Sequence, residues 1–306
     1  MTPRPLVGRI VRIDRGAIHD GPGVRTVIFF KGCPLRCGWC HSPETQAAGP
    51  ELLLHVERCI ACGACATACE VQAAVHAGDH FDVDRARCRA CGRCVSACPT
   101  GARELAGGVR SLDEVMRDVL RDRAFYDQSG GGVTLSGGEA LMQRAFALAL
   151  LERCRSEGLH TAVETCGLVH PPTLRRAAAI ADLFLFDLKL IDPERHRAAT
   201  RASNRRILAN LRELAASRTN VIVRVPLIPG VNDDWHNVAL TGALMASLGL
   251  ARVELLPYHR AGIAKYARLG RMSSFEHVPA ASAASVADAA EVLRRAGLDV
   301  TAGGVS

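Results

Sequence analysis

The stretch Asp20–Thr45, DGPGVRTVIFFKGCPLRCGWCHSPET, decides how the rest of the chain is read. Its first half carries a β-branched and aromatic run, Val24–Phe30, with the composition of a buried strand. That strand runs straight into Cys33, Cys37 and Cys40, a CxxxCxxC pattern in which Gly32 and Gly38 permit tight turns and Trp39 stands beside the last cysteine. Further along, Cys59, Cys62, Cys65, Cys69 and Cys88, Cys91, Cys94, Cys98 each form CxxCxxCxxxC. A cubane cluster has four irons, so the three thiolates of the first motif leave one iron open to a substrate, while four close a cluster for electron transfer. The same logic separates open catalytic zinc sites from closed structural ones. On spacing alone, Cys33, Cys37 and Cys40 would also serve a zinc ion with a remote fourth ligand such as His41.

Outward from this motif the chain alternates strand and helix. Strands are predicted at Val133–Leu135, Thr161–Thr165, Leu183–Phe186, Val221–Val225 and Val253–Leu256, with a further short one near Leu298–Thr301. Sequential strand–helix units imply an α/β fold with a parallel sheet, either open and doubly wound or closed toward a barrel. The barrel is favoured because each polar cluster follows a strand: Cys33; Gly137, Gly138 and Glu139; Glu164 and Thr165; Asp187 and Lys189; Arg224; His259. In parallel barrels the C-terminal strand ends converge on one mouth. A helix is predicted over Ser111–Tyr126, with Ser111 as N-cap and Glu114 completing a capping box. Residues 49–105 hold both four-cysteine motifs with little apolar periodicity, so clusters rather than a core are expected to hold that unit together.

At 306 residues the chain can bury a sizeable core with a smaller unit inserted, and no run of 18 apolar residues appears. Met1–Gly8 lacks the apolar run of a secretory signal, so a soluble, cytoplasmic protein without a membrane is expected, and its thirteen cysteines point to metal rather than disulfides. The formal charge of +7 counts neutral cysteines. Eleven ligating thiolates would remove eleven charges and three cluster cores return about six, leaving the loaded protein near +2, so the basic excess does not call for nucleic acid. An aromatic content of 4% also argues against base-stacking platforms. Only Lys31, Lys189 and Lys265 survive among many arginines, which singles them out as positions that need a flexible ammonium. Cys154 falls in a helical pattern as a buried thiol, and Cys166 is unassigned.

Asp20–Thr45 resembles the cluster loop of radical S-adenosylmethionine enzymes, in particular the activating enzymes of glycyl radical enzymes, relatives of pyruvate formate-lyase activase. The resemblance runs from about Arg9 to Gly270, through SGGGVTLSGGEALMQ (Ser129–Gln143), AVETCG (Ala162–Gly167), DLFLFDLKLIDPERHRAAT (Asp182–Thr200), VRVPLIPGVND (Val223–Asp233) and LLPYHRAGIAKYARLG (Leu255–Gly270). It implies a partial parallel (β/α)6 barrel formed by residues 1–48 and 106–306, with a bacterial-ferredoxin-like domain inserted at 49–105. Three [4Fe-4S] clusters are implied, one of them open at the catalytic Cys33, Cys37 and Cys40, with S-adenosylmethionine as cosubstrate chelating the open iron. By the same resemblance Gly137, Gly138 and Glu139 hold the methionine amino group, while Glu164, Thr165, Asp187 and Lys189 organise the carboxylate in company with a monovalent cation. Trp39, Arg224 and His259 are further cofactor contacts, the buried Arg224 being expected to take the cofactor carboxylate as its anion. Asp187 and Lys189 could equally form a rim salt bridge, His259 a structural hydrogen bond, and Asp20 a cap or turn rather than the wall beside the incoming glycine segment.

In two-cluster ferredoxins the fourth cysteine of each run serves the other cluster, so Cys59, Cys62, Cys65 pair with Cys98 and Cys88, Cys91, Cys94 with Cys69. Glu70 replaces the proline expected after Cys69, and Ala140 stands where relatives often have proline. The implied activity is reductive cleavage of S-adenosylmethionine to a 5′-deoxyadenosyl radical that takes a hydrogen atom from a glycine of a partner lyase, dehydratase or decarboxylase. Flavodoxin or ferredoxin is the implied electron donor, and the chain is expected to be a monomer. Arg201, where relatives often have glycine, and Ile263 are positions that could tune partner recognition. A radical enzyme acting directly on a small molecule or peptide fits the three-cysteine motif as well. A non-enzymatic electron carrier on a barrel scaffold would leave that motif and SGGE without purpose.

Overall fold

The computed structural model describes residues 5–303; the first four residues of the Met1–Gly8 segment, read above for a secretory signal, lie outside them. Among the described residues thirteen strands run in order: β1 (Val7–Ala17), β2 (Arg25–Phe30), β3 (Glu51–Leu54), β4 (Ala74–Ala77), β5 (His80–Val83), β6 (Arg103–Ala106), β7 (Gly108–Ser111), β8 (Gly132–Gly137), β9 (His160–Thr165), β10 (Leu183–Asp187), β11 (Val221–Leu227), β12 (Arg252–Pro257) and β13 (Asp299–Ala302). Nine of them form one sheet, ordered β13-β12-β11-β10-β9-β8-β2-β1-β7. From β2 to β13 every pairing is parallel. The order never reverses, so there is no switch point, and right-handed crossovers all deliver their helices to the same face. This is a partial barrel rather than a doubly wound sheet, and its seventh parallel strand, β13, is the short one expected near Leu298–Thr301.

Strand parity separates the two faces. Ile28, Phe30, Leu135, Val163, Phe184, Phe186, Val223 and Leu255 join the large core beneath the helices, including Arg144–Ser156, Arg205–Ala216 and Ala283–Arg295. The alternate residues Ala162, Leu183, Leu185 and Ile222 make a small apolar floor on the inner face. Continuing along the same strands at the same parity, that floor gives way to Glu164, Asp187 and Arg224.

Two features depart from the sequence reading. β1 was not foreseen; it pairs antiparallel with β2 and β7, and register irregularities between Ile10 and Arg12 and between Arg15 and Ala17 spoil the period-2 pattern. The Ser111 capping box is present, but the helix divides into Leu112–Leu120 and Arg123–Ser129. Asp122 sits at the break, buried, accepting from Arg15 Nε at 2.8 Å and Thr26 Oγ1 at 2.7 Å. Its backbone, at φ −100° and ψ 7°, leaves the helical conformation there.

Residues between β2 and β7 build a small unit from two antiparallel pairs, β3 with β6 and β4 with β5. Its duplication extends to the backbone: Ala61 and Ala90 adopt φ of 53° and 49°, and Gly63 and Gly92, which precede the short helices Ala64–Thr67 and Arg93–Ser96, adopt 75° and 82°. No helix among the described residues is long and apolar enough to cross a membrane.

Candidate active site and iron–sulfur cavities

The CxxxCxxC loop leaves the end of β2 and is pinned from several sides. Gly32 N donates to Thr45 O at 2.7 Å, Cys33 N to Gln46 O at 3.0 Å and Arg36 N to Thr200 O at 2.8 Å. Burial pushes the Cys37 thiol up to about 12 and the Cys40 thiol up to about 11, so both are protonated unless a cation binds them. All three lysines gather around this loop. Lys31 Nζ donates to Glu51 Oε2 at 2.6 Å and to Glu44 O at 2.5 Å, Lys265 Nζ donates to His41 O at 3.0 Å, and Lys189 pairs with Asp187 at 3.0 Å. Burial opposes the Lys189 charge, but Asp187 and nearby Cys37 hold its pKa above the ordinary value.

His41, the remote zinc ligand that spacing alone would allow, is exposed. Its ring meets that of the exposed His259 edge-on, with centroids 4.7 Å apart. Trp39, an expected cofactor contact, is buried and packs edge-on against Phe275, with centroids 5.9 Å apart. Its ring serves the core beside the loop, and Phe275 also closes over Gly38.

Glu139, the carboxylate expected to meet an ammonium, is held by donors of the protein itself. It is fully buried, Oε1 accepting from Leu141 N at 3.2 Å and Oε2 from Thr165 Oγ1 at 2.8 Å and Cys166 N at 2.9 Å. The side chain thus fastens the SGGE turn to the ETCG turn, because three donors in the interior demand an acceptor. Gly137 and Gly138 supply close approach instead. Gly137 has φ of 109°, and a Cβ on either would overlap backbone of β2 or of Gly32.

Arg224 lies within β11, not after it, because that strand continues to Leu227. Its expected anion is provided by the protein: Glu164 at 3.1 Å, Glu254 at 3.0 Å and Asp20 at 3.8 Å, while Nη2 donates to His19 O at 3.1 Å. Asp20 accordingly faces the inner surface rather than capping a turn, and its carbonyl accepts from Thr134 Oγ1 at 2.7 Å. Ser136 donates to Glu164, whose pKa burial pushes up to about 7, with Asp187 and Asp20 adding to the rise and Arg224 opposing it. Asp187 Oδ1 is buried without a hydrogen-bond partner. Four carboxylates against Arg224 and Lys189 leave an acidic mouth with an unsatisfied oxygen, which suits an ammonium group or a small cation.

Sequence reasoning missed Glu254, Ser136 and Tyr266. Glu254 stands opposite Arg224 in the β11–β12 register, and the same inner parity could have found it. In the small unit, Cys69, Cys88, Cys91 and Cys94 line one cavity, the grouping expected when fourth ligands are exchanged. Among the described residues no three His, Cys, Asp or Glu side chains close on a single-ion site.

Comparison with known proteins gives this geometry a family. Residues 85–240 match the radical SAM superfamily and residues 58–102 a 4Fe-4S dicluster domain. The chain is 43% identical to the trans-4-hydroxy-L-proline dehydratase activating enzyme of Clostridioides difficile, covering 85% of this chain and 87% of that one. The chain belongs to the radical S-adenosylmethionine activating enzymes of glycyl radical enzymes. The pyruvate formate-lyase 2-activating enzyme of Escherichia coli is 39% identical over 99% of the activase and 95% of its own length. A radical SAM methyltransferase from Sphaerobacter thermophilus shares the fold at 16% identity, with a TM-score of 0.56 over 99% of the activase and 79% of that chain.

In the activase one short helix, Ile263–Arg268, touches both cluster regions. Tyr266 Oη donates to Gly38 O at 3.2 Å, within the cysteine loop. Two residues away, Arg268 reaches Glu57 at 3.6 Å and accepts through its carbonyl from Arg85 at 3.0 Å, both in the small unit. Just beyond the helix, Arg271 pairs with Glu51 and Leu269 packs on Leu53 and Ala106. The unit is therefore fastened to the barrel next to the three-cysteine loop.

Proposed function

We propose that Cys33, Cys37 and Cys40 hold a [4Fe-4S] cluster with one open iron, and that residues 49–105 form an inserted domain holding two closed clusters, Cys59, Cys62, Cys65 and Cys98 on one and Cys88, Cys91, Cys94 and Cys69 on the other. The barrel comprises residues 1–48 and 106–306. When bound, the open cluster and S-adenosylmethionine supply the reductive cleavage that yields the 5′-deoxyadenosyl radical. The chain's own part is to hold, orient and shield. Backbone of Gly137 and Gly138 receives the methionine amino group, Glu164, Thr165, Asp187 and Lys189 organise its carboxylate with a monovalent cation, and His259 meets the nucleoside. Arg224 acts as the central cation that keeps Asp20, Glu164 and Glu254 in register, and the Asp20 turn forms the wall against which the partner's glycine segment lies.

The reading is carried by one observation: a three-thiol loop and an acidic set with an orphaned Asp187 oxygen share one mouth of the barrel. The partner is a glycyl radical enzyme of the lyase, dehydratase or decarboxylase kind, the donor a flavodoxin or ferredoxin, and the activase a cytoplasmic monomer. The relatives named above act with different partners at 43% and 39% identity, so overall likeness does not select among them. Anaerobically reconstituted protein with dithionite should release 5′-deoxyadenosine from S-adenosylmethionine, and Cys37→Ala should abolish the release; turnover in that variant would refute the open-cluster assignment. Mixed with a competent partner, the protein should produce a glycyl doublet in electron paramagnetic resonance. Cofactor cleavage without the doublet would instead favour direct action on a small molecule.

A further inference from the structure

The eight cysteines of the insert are alike in spacing and unlike in surroundings. The cavity lined by Cys69, Cys88, Cys91 and Cys94 also includes Arg103, on β6, whose residue is only 4% exposed. Its Nη2 donates to Phe81 O at 2.8 Å and Asp82 O at 3.1 Å. Those partners are neutral carbonyls, so they fix the guanidinium without cancelling its charge. Two further arginines of the cavity wall, Arg89 and Arg93, are exposed, and Arg93 is neutralised by Glu70. The Arg103 guanidinium is directed to Cys94, whereas toward the other cysteine set Arg103 offers only its backbone, near Cys98, whose sulfur lies 3.6 Å from the uncharged Thr100 hydroxyl.

A [4Fe-4S] cluster gains one negative charge on reduction, and a fixed buried cation beside it stabilises the reduced form because solvent and salt screen the pair weakly. We propose that Arg103 raises the reduction potential of the Cys69–Cys88–Cys91–Cys94 cluster above that of its neighbour, so the first electron entering the insert resides there. Arg103 is a positioning residue for charge rather than a ligand. The inference rests on the two-cluster reading of the insert.

The test is a potentiometric titration of the reconstituted three-cluster protein with dithionite, followed by electron paramagnetic resonance. A Cys91→Ser variant identifies which insert signal belongs to the Arg103 cavity. In Arg103→Gln that signal should require a solution potential lower by about 59 mV, a tenfold change in its reduced-to-oxidised ratio, while the other insert signal and the open-cluster signal stay in place. Arg103→Lys, which keeps the charge, should restore most of the shift. An unmoved signal in Arg103→Gln, an equal shift of both insert signals, or the same loss in Arg103→Lys would overturn the proposal. If Arg103→Gln loads no insert clusters while Arg103→Lys loads both, the role is architectural and the proposal fails. Iron content and signal number in the unmodified protein come first: fewer than two insert clusters would refute the cluster assignment itself, independently of Arg103.

Discussion

Glu139→Gln separates two roles for a residue that the motif alone leaves ambiguous. Glutamine keeps the volume and one carbonyl oxygen but replaces the other oxygen with an NH2 group. In its better orientation the oxygen still accepts from Thr165 Oγ1 and Cys166 N, and the amide then opposes Leu141 N, donor against donor. An unsatisfied buried N–H costs about 1–3 kcal/mol, and two charge-assisted bonds made neutral lose about 1 kcal/mol each. Burial, which raises the Glu139 pKa, ceases to act on a neutral side chain and offsets part of the loss. The net expectation is about 2–3 kcal/mol of destabilisation. At roughly 2 °C per kcal/mol for a large domain, thermal unfolding of the anaerobically reconstituted protein should fall by at least about 4 °C. Binding of S-adenosylmethionine, measured by equilibrium dialysis well below that temperature, should weaken only modestly. An unchanged Tm together with binding weakened more than about tenfold would refute the staple and return the carboxylate to the ammonium.

Three other outcomes are expected. The Glu164 pKa is raised from its ordinary value to about 7, so this group's contribution to stability is full below about pH 4.5 and is lost as pH rises through about 7; Tm should fall from pH 6 to pH 8, and Glu164→Gln should flatten that fall. A Glu164→Gln protein with an unaltered slope would place the titration elsewhere. Arg201 ends the helix Pro193–Thr200 with φ of 63°, a left-handed position that favours glycine, so Arg201→Gly should raise Tm by the equivalent of about 0.5–1 kcal/mol, without requiring any partner. Tyr266→Phe removes the bond to Gly38 O and about 1 kcal/mol of restraint on the cysteine loop. A chelator should then strip iron from the open cluster faster while the insert signals persist, and equal loss from all clusters would contradict a local role.

The sequence by itself determined what depends on short separations along the chain. Thiol spacing separated a three-cysteine loop from two four-cysteine runs; β-branched and aromatic runs located β2 and β8 to β13, and Ser111 with Glu114 marked a helix start that exists as written. The three lysines that scarcity singled out, Lys31, Lys189 and Lys265, all lie at the cysteine loop or its acidic rim. Tertiary structure alone decided the partners. Arg224 is flanked by Asp187 on one strand and Glu254 on the other through the register of β10, β11 and β12, residues 37 and 30 positions away in sequence. Glu139 turns inward because Thr165 and Cys166 arrive from the next strand with unsatisfied donors, and Cys69 joins Cys88, Cys91 and Cys94 because the duplicated unit folds back on itself. The physical reason is common to these cases. Spacing and periodicity are local properties of the chain, whereas charge pairing and burial depend on which distant strands lie side by side.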